Sequence, residues 1–246
     1  DWSSDVCSSD LLLDKVVAWA KNYGYSVEFE NNKFYGTPFE ENKMISYQGV
    51  KEYMTRIARF KPRDYQVDAV FDALKYNRKL LISPTASGKS LMIYSVVRYF
   101  AEKGKKILLV VPTTSLVEQM FKDFEDYGWN ASEYCHKIYS GREKTNEYPV
   151  TITTWQSIYK LPRPFFKDFE VVIGDEAHLF KSKSLVSIMT KMDSAKYRFG
   201  FTGTLDGTQT HKWVLEGLFG PSYKVTQTRE LIDKGHLSQL QIHVLL

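Results

Sequence analysis

Residues 83–90 read SPTASGKS, a short polar segment between two apolar patterns. Before it comes the apolar run at residues 80–82, and after it comes a pattern with helical spacing that extends to about Glu102. The order is therefore strand, turn and helix. In this order the backbone N–H groups of the turn and the N-terminus of the helix can surround phosphate oxygens. The segment is a candidate phosphate loop, in which Ser83 stands at the first glycine of the usual pattern.

The residue types of this phosphate loop, residues 83–90, suit a nucleoside triphosphate and a magnesium ion. A lysine can reach the β and γ phosphates, and a hydroxyl group can bind Mg²⁺. Gly-Lys-Ser alone is weak evidence for nucleotide binding, because an ordinary loop with an exposed lysine can have the same sequence. The residues predicted to bind the nucleotide are Pro84, Thr85, Ala86, Ser87, Gly88, Lys89 and Ser90.

Two acidic residues follow a second apolar run. Residues 171–174 read VVIG, and the next four residues are Asp175, Glu176, Ala177 and His178. One carboxylate can hold Mg²⁺ and the other can position an attacking water molecule. Capping of a helix by Asp175 is the structural alternative. Because ligands bind at the carboxyl ends of parallel strands, both motifs are expected at one edge of a sheet, where together they predict nucleotide binding.

The rest of the chain supports a parallel sheet. Further short apolar runs lie at residues 107–111, 150–153 and 197–201, and helical patterns lie at residues 64–77 and 115–127. Short apolar strands that alternate with helices are typical of α/β folds whose parallel sheet is covered on both faces. We therefore expect a central parallel sheet between helices.

The composition limits the partners and the location of the protein only loosely. The chain has 246 residues, of which 43% are hydrophobic and 25% charged, and its formal net charge of +4 permits a nucleic-acid partner without requiring one. No apolar run approaches the length of a membrane span. The only cysteines, Cys7 and Cys135, do not suggest a disulfide scaffold, so we expect a reducing, cytoplasmic compartment. Cys135 and His136 are interpreted as structural, because no second ligand pair accompanies them.

The chain is expected to have four segments. Residues 1–10, DWSSDVCSSD, are interpreted as a non-native or disordered tail. Residues 11–59 are expected to form a small α+β accessory segment, truncated and a candidate for DNA binding. Residues 60–240 form the predicted sheet domain, and residues 241–246 begin a connection onward. Within the accessory segment, Trp19, Tyr23 and Tyr25 could form a DNA-binding face, although packing in a core is favoured.

The two motifs together resemble motifs I and II of the superfamily 2 helicases, and other segments follow in the order of that family. The resemblance covers about residue 60 to the end and implies a RecA-like lobe. Its further segments are RDYQ at 63–66, PTTSL at 112–116 with Gln119, TTWQS at 153–157, TGT at 202–204 and ELIDKGHL at 230–237.

The resemblance implies ATP and Mg²⁺ as ligands. It implies that Lys89 holds the β and γ phosphates and that Ser90 and Asp175 organise Mg²⁺, partly through water. Glu176 would orient or deprotonate the attacking water. Gln66, with Arg63 nearby, would select adenine, whose edge suits an amide that donates and accepts.

The later motifs imply coupling between nucleotide and nucleic acid. Thr202, Gly203 and Thr204 correspond to the motif that links hydrolysis to movement of the lobes, and the two threonines would sense the γ phosphate through His178. Short polar residues at strand ends can contact the phosphates of a nucleic-acid strand. The candidates are Thr113, Thr114, Thr153, Thr154 and Gln156. For Thr113 and Thr114, helix capping is an equal alternative.

Within the superfamily, TWQ at 154–156 and GTLDG at 203–207 resemble the phage UvsW-type DNA helicases. That likeness implies ATP-dependent unwinding or branch migration of DNA in recombination and repair, in the host cytoplasm if the gene is of phage origin. A restriction-type translocase subunit, an RNA helicase and a non-motor nucleotide switch stay open as alternatives. The motifs of the second lobe are absent, so we expect this chain to bind Mg-ATP but to hydrolyse it poorly. Ala86 also departs from the glycine that many relatives carry there.

Overall fold

The computed structural model describes residues 13–27, 41–139, 147–181, 183–192, 194–205 and 209–238. The predicted tail at residues 1–10 and the predicted connection at residues 241–246 lie outside these ranges. None of the helices within them is long and apolar enough to cross a membrane.

A seven-stranded sheet forms the centre of the described structure. Its strand order is β3-β4-β2-β5-β6-β1-β7, and all neighbouring strands pair in parallel. The predicted α/β fold with a parallel sheet is confirmed. The strands are β1 (Arg78–Ile82), β2 (Ile107–Val111), β3 (Cys135–Ile138), β4 (Val150–Thr154), β5 (Val171–Gly174), β6 (Tyr197–Thr202) and β7 (Ser222–Lys224).

Helices alternate with these strands along the chain. A 3-10 helix (Ala177–Lys181) follows β5. The α-helices are α1 (Leu13–Asn22), α2 (Tyr47–Ile57), α3 (Asp64–Tyr76), α4 (Lys89–Ala101), α5 (Thr114–Asp126), α6 (Ala131–Tyr134), α7 (Trp155–Ile158), α8 (Arg163–Phe166), α9 (Lys183–Lys191), α10 (Gln209–Phe219) and α11 (Thr228–Asp233).

Two apolar clusters cover the two faces of the sheet, because successive strand residues point to opposite sides. In β2, Ile107 and Leu109 belong to the cluster that contains α2, α3, α4 and α5, whereas Leu108 and Val110 belong to the cluster that contains α9 and α10. All five residues of β2 are buried. A strand covered on both faces reads as a continuous apolar run, which explains why these strands were visible in the sequence.

The N-terminal segment is only partly joined to this core. Helix α2 buries Val50 and Met54 in the same cluster as α3 and α4. The aromatic residues near α1 are mostly exposed: Trp19 is 54%, Tyr23 67% and Tyr25 63% accessible. The favoured prediction that these three side chains pack in a core is therefore wrong for the described residues. They instead contact one another, with the Trp19 ring centroid 5.0 Å from Tyr23 and 6.0 Å from Tyr25.

Gly220, between α10 and β7, lies where the chain passes close to the backbone of β1. Its φ is +117°, and a Cβ atom there would lie 2.6 Å from the backbone C and O of Arg78. Gly104 also has a positive φ, +70°, but nothing lies within 4 Å of a Cβ built there. We expect Gly104→Ala to lower the free energy of unfolding by about 1 kcal/mol through backbone strain. Gly220→Ala should lower it by a further ~1–3 kcal/mol, because the methyl group has no space.

The measurement is urea unfolding of the two variants beside the unsubstituted protein. Equal losses in the two variants would show that the contact with Arg78 is not what requires glycine at position 220.

Candidate nucleotide site and nucleic-acid surface

The phosphate loop leaves β1 and ends at the start of α4. Ala86 and Gly88 adopt left-handed backbone conformations, with φ of 63° and 79°. Ser83 and Ser87 are fully buried, and their hydroxyl groups hydrogen-bond each other. The Ser83 N–H also donates to the Thr202 carbonyl at 2.8 Å, which fixes the loop to the end of β6. The serine side chains therefore face inward and hold the turn, while Ala86 at its tip is exposed.

Residues at the start of α3 hold the same loop from the other side. The Gln66 Nε2 donates to the Ser87 carbonyl at 2.9 Å, and the Tyr65 hydroxyl donates to the same oxygen at 3.0 Å. Arg63 Nη1 donates to the Tyr65 hydroxyl at 2.9 Å. A Cβ at Gly88 would lie 2.3 Å from Gln66 Nε2, so glycine is needed there.

Gln66 retains hydrogen-bonding capacity for a base. Its Oε1 accepts from the Arg63 N–H at 2.9 Å and its Nε2 donates to Ser87. An amide side chain offers two N–H donors and two acceptor lone pairs, so one of each remains. Gln66 is 4% exposed, which leaves little room for it to move. Tyr65 was not singled out as a site residue in the sequence, although the RDYQ segment contains it.

Lys89 joins the phosphate loop to the acidic pair. Its Nζ donates to Glu176 Oε1 and lies 3.9 Å from Asp175 Oδ1. Asp175 is 8% exposed, and this burial raises the pKa of its carboxyl group, while the nearby Lys89 ammonium opposes the rise. Asp175 Oδ1 accepts from the Glu176 N–H at 2.9 Å. The structure thus brings Lys89, Asp175 and Glu176 together at the carboxyl ends of the strands.

A hydrogen-bonded connection runs from the acidic pair to β6. The Thr202 hydroxyl donates to the Thr204 carbonyl at 2.8 Å and lies 3.1 Å from His178 Nδ1. Because the hydroxyl proton is used, His178 Nδ1 must donate to Thr202. The same Nδ1 is 3.4 Å from Glu176 Oε2. Gly203 lies beside the phosphate loop, where an added Cβ would be 3.9 Å from the Ser83 carbonyl oxygen.

Ser90 has partners that the sequence did not predict. Its hydroxyl oxygen lies 2.6 Å from the Tyr127 hydroxyl, with which it shares a hydrogen bond, and the Asp123 carboxylate lies nearby. Burial raises the pKa of both Asp123 and Tyr127, and the contact with Ser90 opposes the rise. These two residues stand 33 and 37 positions away from Ser90, so no local motif could have found them.

Ser90 and Asp175 are nevertheless suitable ligands for Mg²⁺. A hydroxyl and a carboxylate are hard oxygen donors, and Mg²⁺ is usually held by one or two protein groups together with phosphate oxygens and water. Within the described ranges, no group of three or more His, Cys, Asp or Glu side chains is arranged to hold a metal ion. The Ser90 hydroxyl and the Asp175 carboxylate are of the kind that Mg²⁺ accepts as its few protein ligands when it is bound together with a nucleotide.

Three predicted nucleic-acid residues lie on the surface. Thr113, Thr114 and Gln156 are exposed, the first two at the start of α5 and the third in α7. Thr113 also caps α5, because its Oγ1 accepts from the Leu116 N–H at 3.3 Å. Thr113 Oγ1 also shares a hydrogen bond of 2.9 Å with the Ser115 hydroxyl, so this exposed residue caps the helix while it remains accessible to solvent.

The other two predicted contacts are buried. Thr153 has no accessible surface, and its hydroxyl donates to the Ile138 carbonyl at 2.9 Å. Its position corrects the sequence-based interpretation: the hydroxyl serves the sheet and does not face a ligand. Thr154 is 4% exposed and lies 2.8 Å from the Ser157 hydroxyl.

Comparison with known proteins adds to this geometry. Residues 59–207 match the family model described as Type III restriction enzyme, res subunit. The chain belongs to this family. It is thereby a member of the superfamily 2 helicases, and the use of a nucleotide follows from that membership.

Individual members of the superfamily are also similar. The chain is 31% identical over 243 residues to the ATP-dependent DNA helicase UvsW of Enterobacteria phage T4. The match covers 94% of this chain and 47% of that protein. It is 28% identical over 172 residues to the DNA 3'-5' translocase XPB2 of Sulfurisphaera tokodaii, covering 70% of this chain and 37% of that protein. The crystal structure of the UvsW helicase from bacteriophage T4 superposes with a TM-score of 0.75 at 32% identity, over 88% of this chain and 78% of that one. The chain thus spans about half the length of the curated phage relative.

Asp175 allows the free-energy cost of burying a charge in this candidate nucleotide site to be measured. Asparagine has the same size and still accepts the Glu176 N–H, but it carries no charge that burial deprives of water. We expect Asp175→Asn to stabilise the nucleotide-free protein by about 0.5–2 kcal/mol, as substitutions in functional sites often do. The thermal midpoint at neutral pH should rise by a few degrees.

The matched control is Asp168→Asn, at an exposed position, which should change stability by less than about 0.5 kcal/mol. If the Asp175→Asn protein were no more stable than this control, burial of the Asp175 charge would not have the free-energy cost assigned to it.

Proposed function

We propose that residues 60–240 are the ATP-binding lobe of a DNA helicase or translocase, which couples ATP hydrolysis to unwinding or branch migration of DNA. The observation that carries the proposal is the connection from Lys89 through Glu176 and His178 to Thr202. It joins the phosphate loop to the acidic pair and to the strand between them. The similarity to DNA helicases of the superfamily supports DNA as the partner and recombination or repair as the setting.

The nucleotide would be bound by the loop and by the residues that hold it. The backbone of residues 84–88 would surround the phosphates, and Lys89 would exchange Glu176 for phosphate oxygens. Gln66 would read the adenine edge with its remaining donor and acceptor, while Arg63 keeps Gln66 and Tyr65 in place. Because the loop is already fixed through Ser83 and Ser87, little ordering is needed on binding.

The acidic residues would have separate roles. Release from Lys89 would free the Glu176 carboxylate to orient a water molecule and accept its proton. Ser90 and Asp175 would hold Mg²⁺, which when bound neutralises charge on the phosphates. The Nδ1 atom of His178 lies close to both the Glu176 carboxylate and the Thr202 hydroxyl. A change at Glu176 would therefore be transmitted to Thr202 and Thr204 at the end of β6.

Nucleic acid would lie across the surface formed by the start of α5 and by α7. Thr113, Thr114 and Gln156 can donate to phosphate oxygens from side chains and from the free N–H groups of the helix start. The family resemblance implies that an arginine from a second lobe stabilises the transition state. Such a residue contributes ~10³–10⁵ in rate. This chain alone is therefore expected to bind Mg-ATP and to hydrolyse it slowly.

The first test compares Lys89→Ala with Lys103→Ala, an exposed lysine just beyond the other end of α4. Hydrolysis of ATP is measured in the protein that also carries the second lobe, alone and with single-stranded, duplex and branched DNA and with RNA. We expect branched DNA to stimulate hydrolysis, and Lys89→Ala to reduce the stimulated rate by at least ~100-fold, because a charged donor to the phosphates is lost. Lys103→Ala should behave as the unsubstituted protein.

Other outcomes would change the assignment. Stimulation by RNA alone would indicate an RNA helicase. Hydrolysis that depends on Lys89 but ignores every nucleic acid would sink the motor proposal and leave a nucleotide switch.

The surface assignment is tested by binding of a fluorescent single-stranded oligonucleotide. The double variant Thr114→Ala, Gln156→Ala should bind about 10-fold more weakly, because two hydrogen bonds to charged phosphates are lost. Thr153→Val, which removes the buried hydroxyl, should leave the affinity unchanged. Weaker binding by Thr153→Val with normal binding by the double variant would reverse the assignment. Nucleotide binding should be the same in all three proteins.

A further inference from the structure

The Ser90 hydroxyl lies beside two side chains that belong to neither of the nucleotide-binding motifs. Tyr127 follows the last residue of α5, and Asp123 lies one turn earlier in that helix. The Tyr127 hydroxyl is 2.6 Å from Ser90 Oγ, so the two hydroxyl groups share a hydrogen bond. The Asp123 carboxylate lies near the same oxygen. We refer to Asp123 and Tyr127 as the α5 pair.

The Tyr127 ring is fixed by its surroundings. Its centroid lies 5.1 Å from the Tyr94 ring and 6.0 Å from the Phe60 ring, and the Arg59 N–H donates to the Tyr127 carbonyl at 3.2 Å. Tyr94 in turn is fully buried in the core between α4 and α5. The hydroxyl of Tyr127 is therefore presented to Ser90 from a rigid position.

The α5 pair leaves Ser90 able to bind a cation. A serine hydroxyl has one donor and two acceptor lone pairs. Whichever of the Ser90 and Tyr127 hydroxyl groups donates in their hydrogen bond, at least one lone pair of Ser90 Oγ is left. The negative charge of the nearby Asp123 carboxylate also attracts a cation to this oxygen. Both effects favour a metal ligand.

We infer that Tyr127 and Asp123 are positioning residues for the magnesium ligand Ser90. The α5 pair would orient the remaining lone pair of Ser90 toward the phosphate loop and increase its affinity for Mg²⁺. Groups that orient a metal ligand commonly change metal affinity by about 10–100-fold when they are removed. This inference rests on the proposed function only for the assignment of Ser90 to Mg²⁺.

The decisive variant is Tyr127→Phe, which removes the hydroxyl and retains the ring that packs against Tyr94. Binding of a fluorescent, non-hydrolysable ATP analogue is measured in EDTA and in a titration with Mg²⁺. We expect the Mg²⁺ concentration for half-maximal effect to rise by about 10-fold, with binding in EDTA unchanged. Asp123→Asn, which keeps the shape of the side chain but removes its charge, should shift the Mg²⁺ titration in the same direction.

The control is Tyr94→Phe, which removes a hydroxyl from the neighbouring ring. That hydroxyl donates to the Ile57 carbonyl at 2.8 Å and does not contact Ser90, so the Mg²⁺ titration should be unchanged. An unchanged titration in Tyr127→Phe would overturn the inference, and so would a loss of equal size in EDTA, which would indicate a purely structural role. Tighter Mg²⁺ binding would show that the α5 pair competes with the metal. If the unsubstituted protein bound the analogue without any dependence on Mg²⁺, the metal assignment in the proposed function would fail as well.

Discussion

The position of β6 between β5 and β1 is the constraint on which the site depends. Strand β1 leads into the phosphate loop and β5 leads to the acidic pair, and the two strands are not neighbours. The register pairs Ile82 with Thr202 and Gly174 with Gly200, so the end of β6 lies between the two motifs. Lys89 crosses this gap on one side, and His178 with Thr202 spans it on the other.

Two glycines make that arrangement possible. A Cβ at Gly174 would lie 2.7 Å from the Phe180 ring, and one at Gly200 would lie 2.9 Å from Phe219. The aromatic rings therefore rest directly on the backbone of β5 and β6. Because Phe180 belongs to the 3-10 helix that directly follows the acidic pair and contains His178, this close packing also fixes the acidic pair relative to the sheet. Packing on one face of the sheet thus determines geometry at its edge.

The sequence was informative where the chemistry is local. The phosphate loop and the acidic pair could be predicted because each motif occupies consecutive residues that follow a buried strand. Thr153 could not be placed, because all five residues of β4 are buried and alternation gives no signal of which side chain faces a ligand. The contacts of Ser90 with Asp123 and Tyr127 depend on how α5 packs against α4, which no spacing in the sequence encodes. The exposure of Trp19 likewise depends on what packs against α1, and helical spacing alone does not report it.

Helix α5 connects the two functional surfaces. Its start carries Thr113 and Thr114, on the surface assigned to nucleic acid. Its end carries Tyr127, whose hydroxyl shares a hydrogen bond with Ser90. A helix of 13 residues is about 20 Å long and moves as one body over short displacements. A shift of its start would therefore alter the contacts at its end, unless Tyr94 and Phe124 hold it in place. These two rings pack 5.4 Å apart in the core, so the coupling between the surfaces is limited by how firmly this aromatic contact fixes α5 to α4.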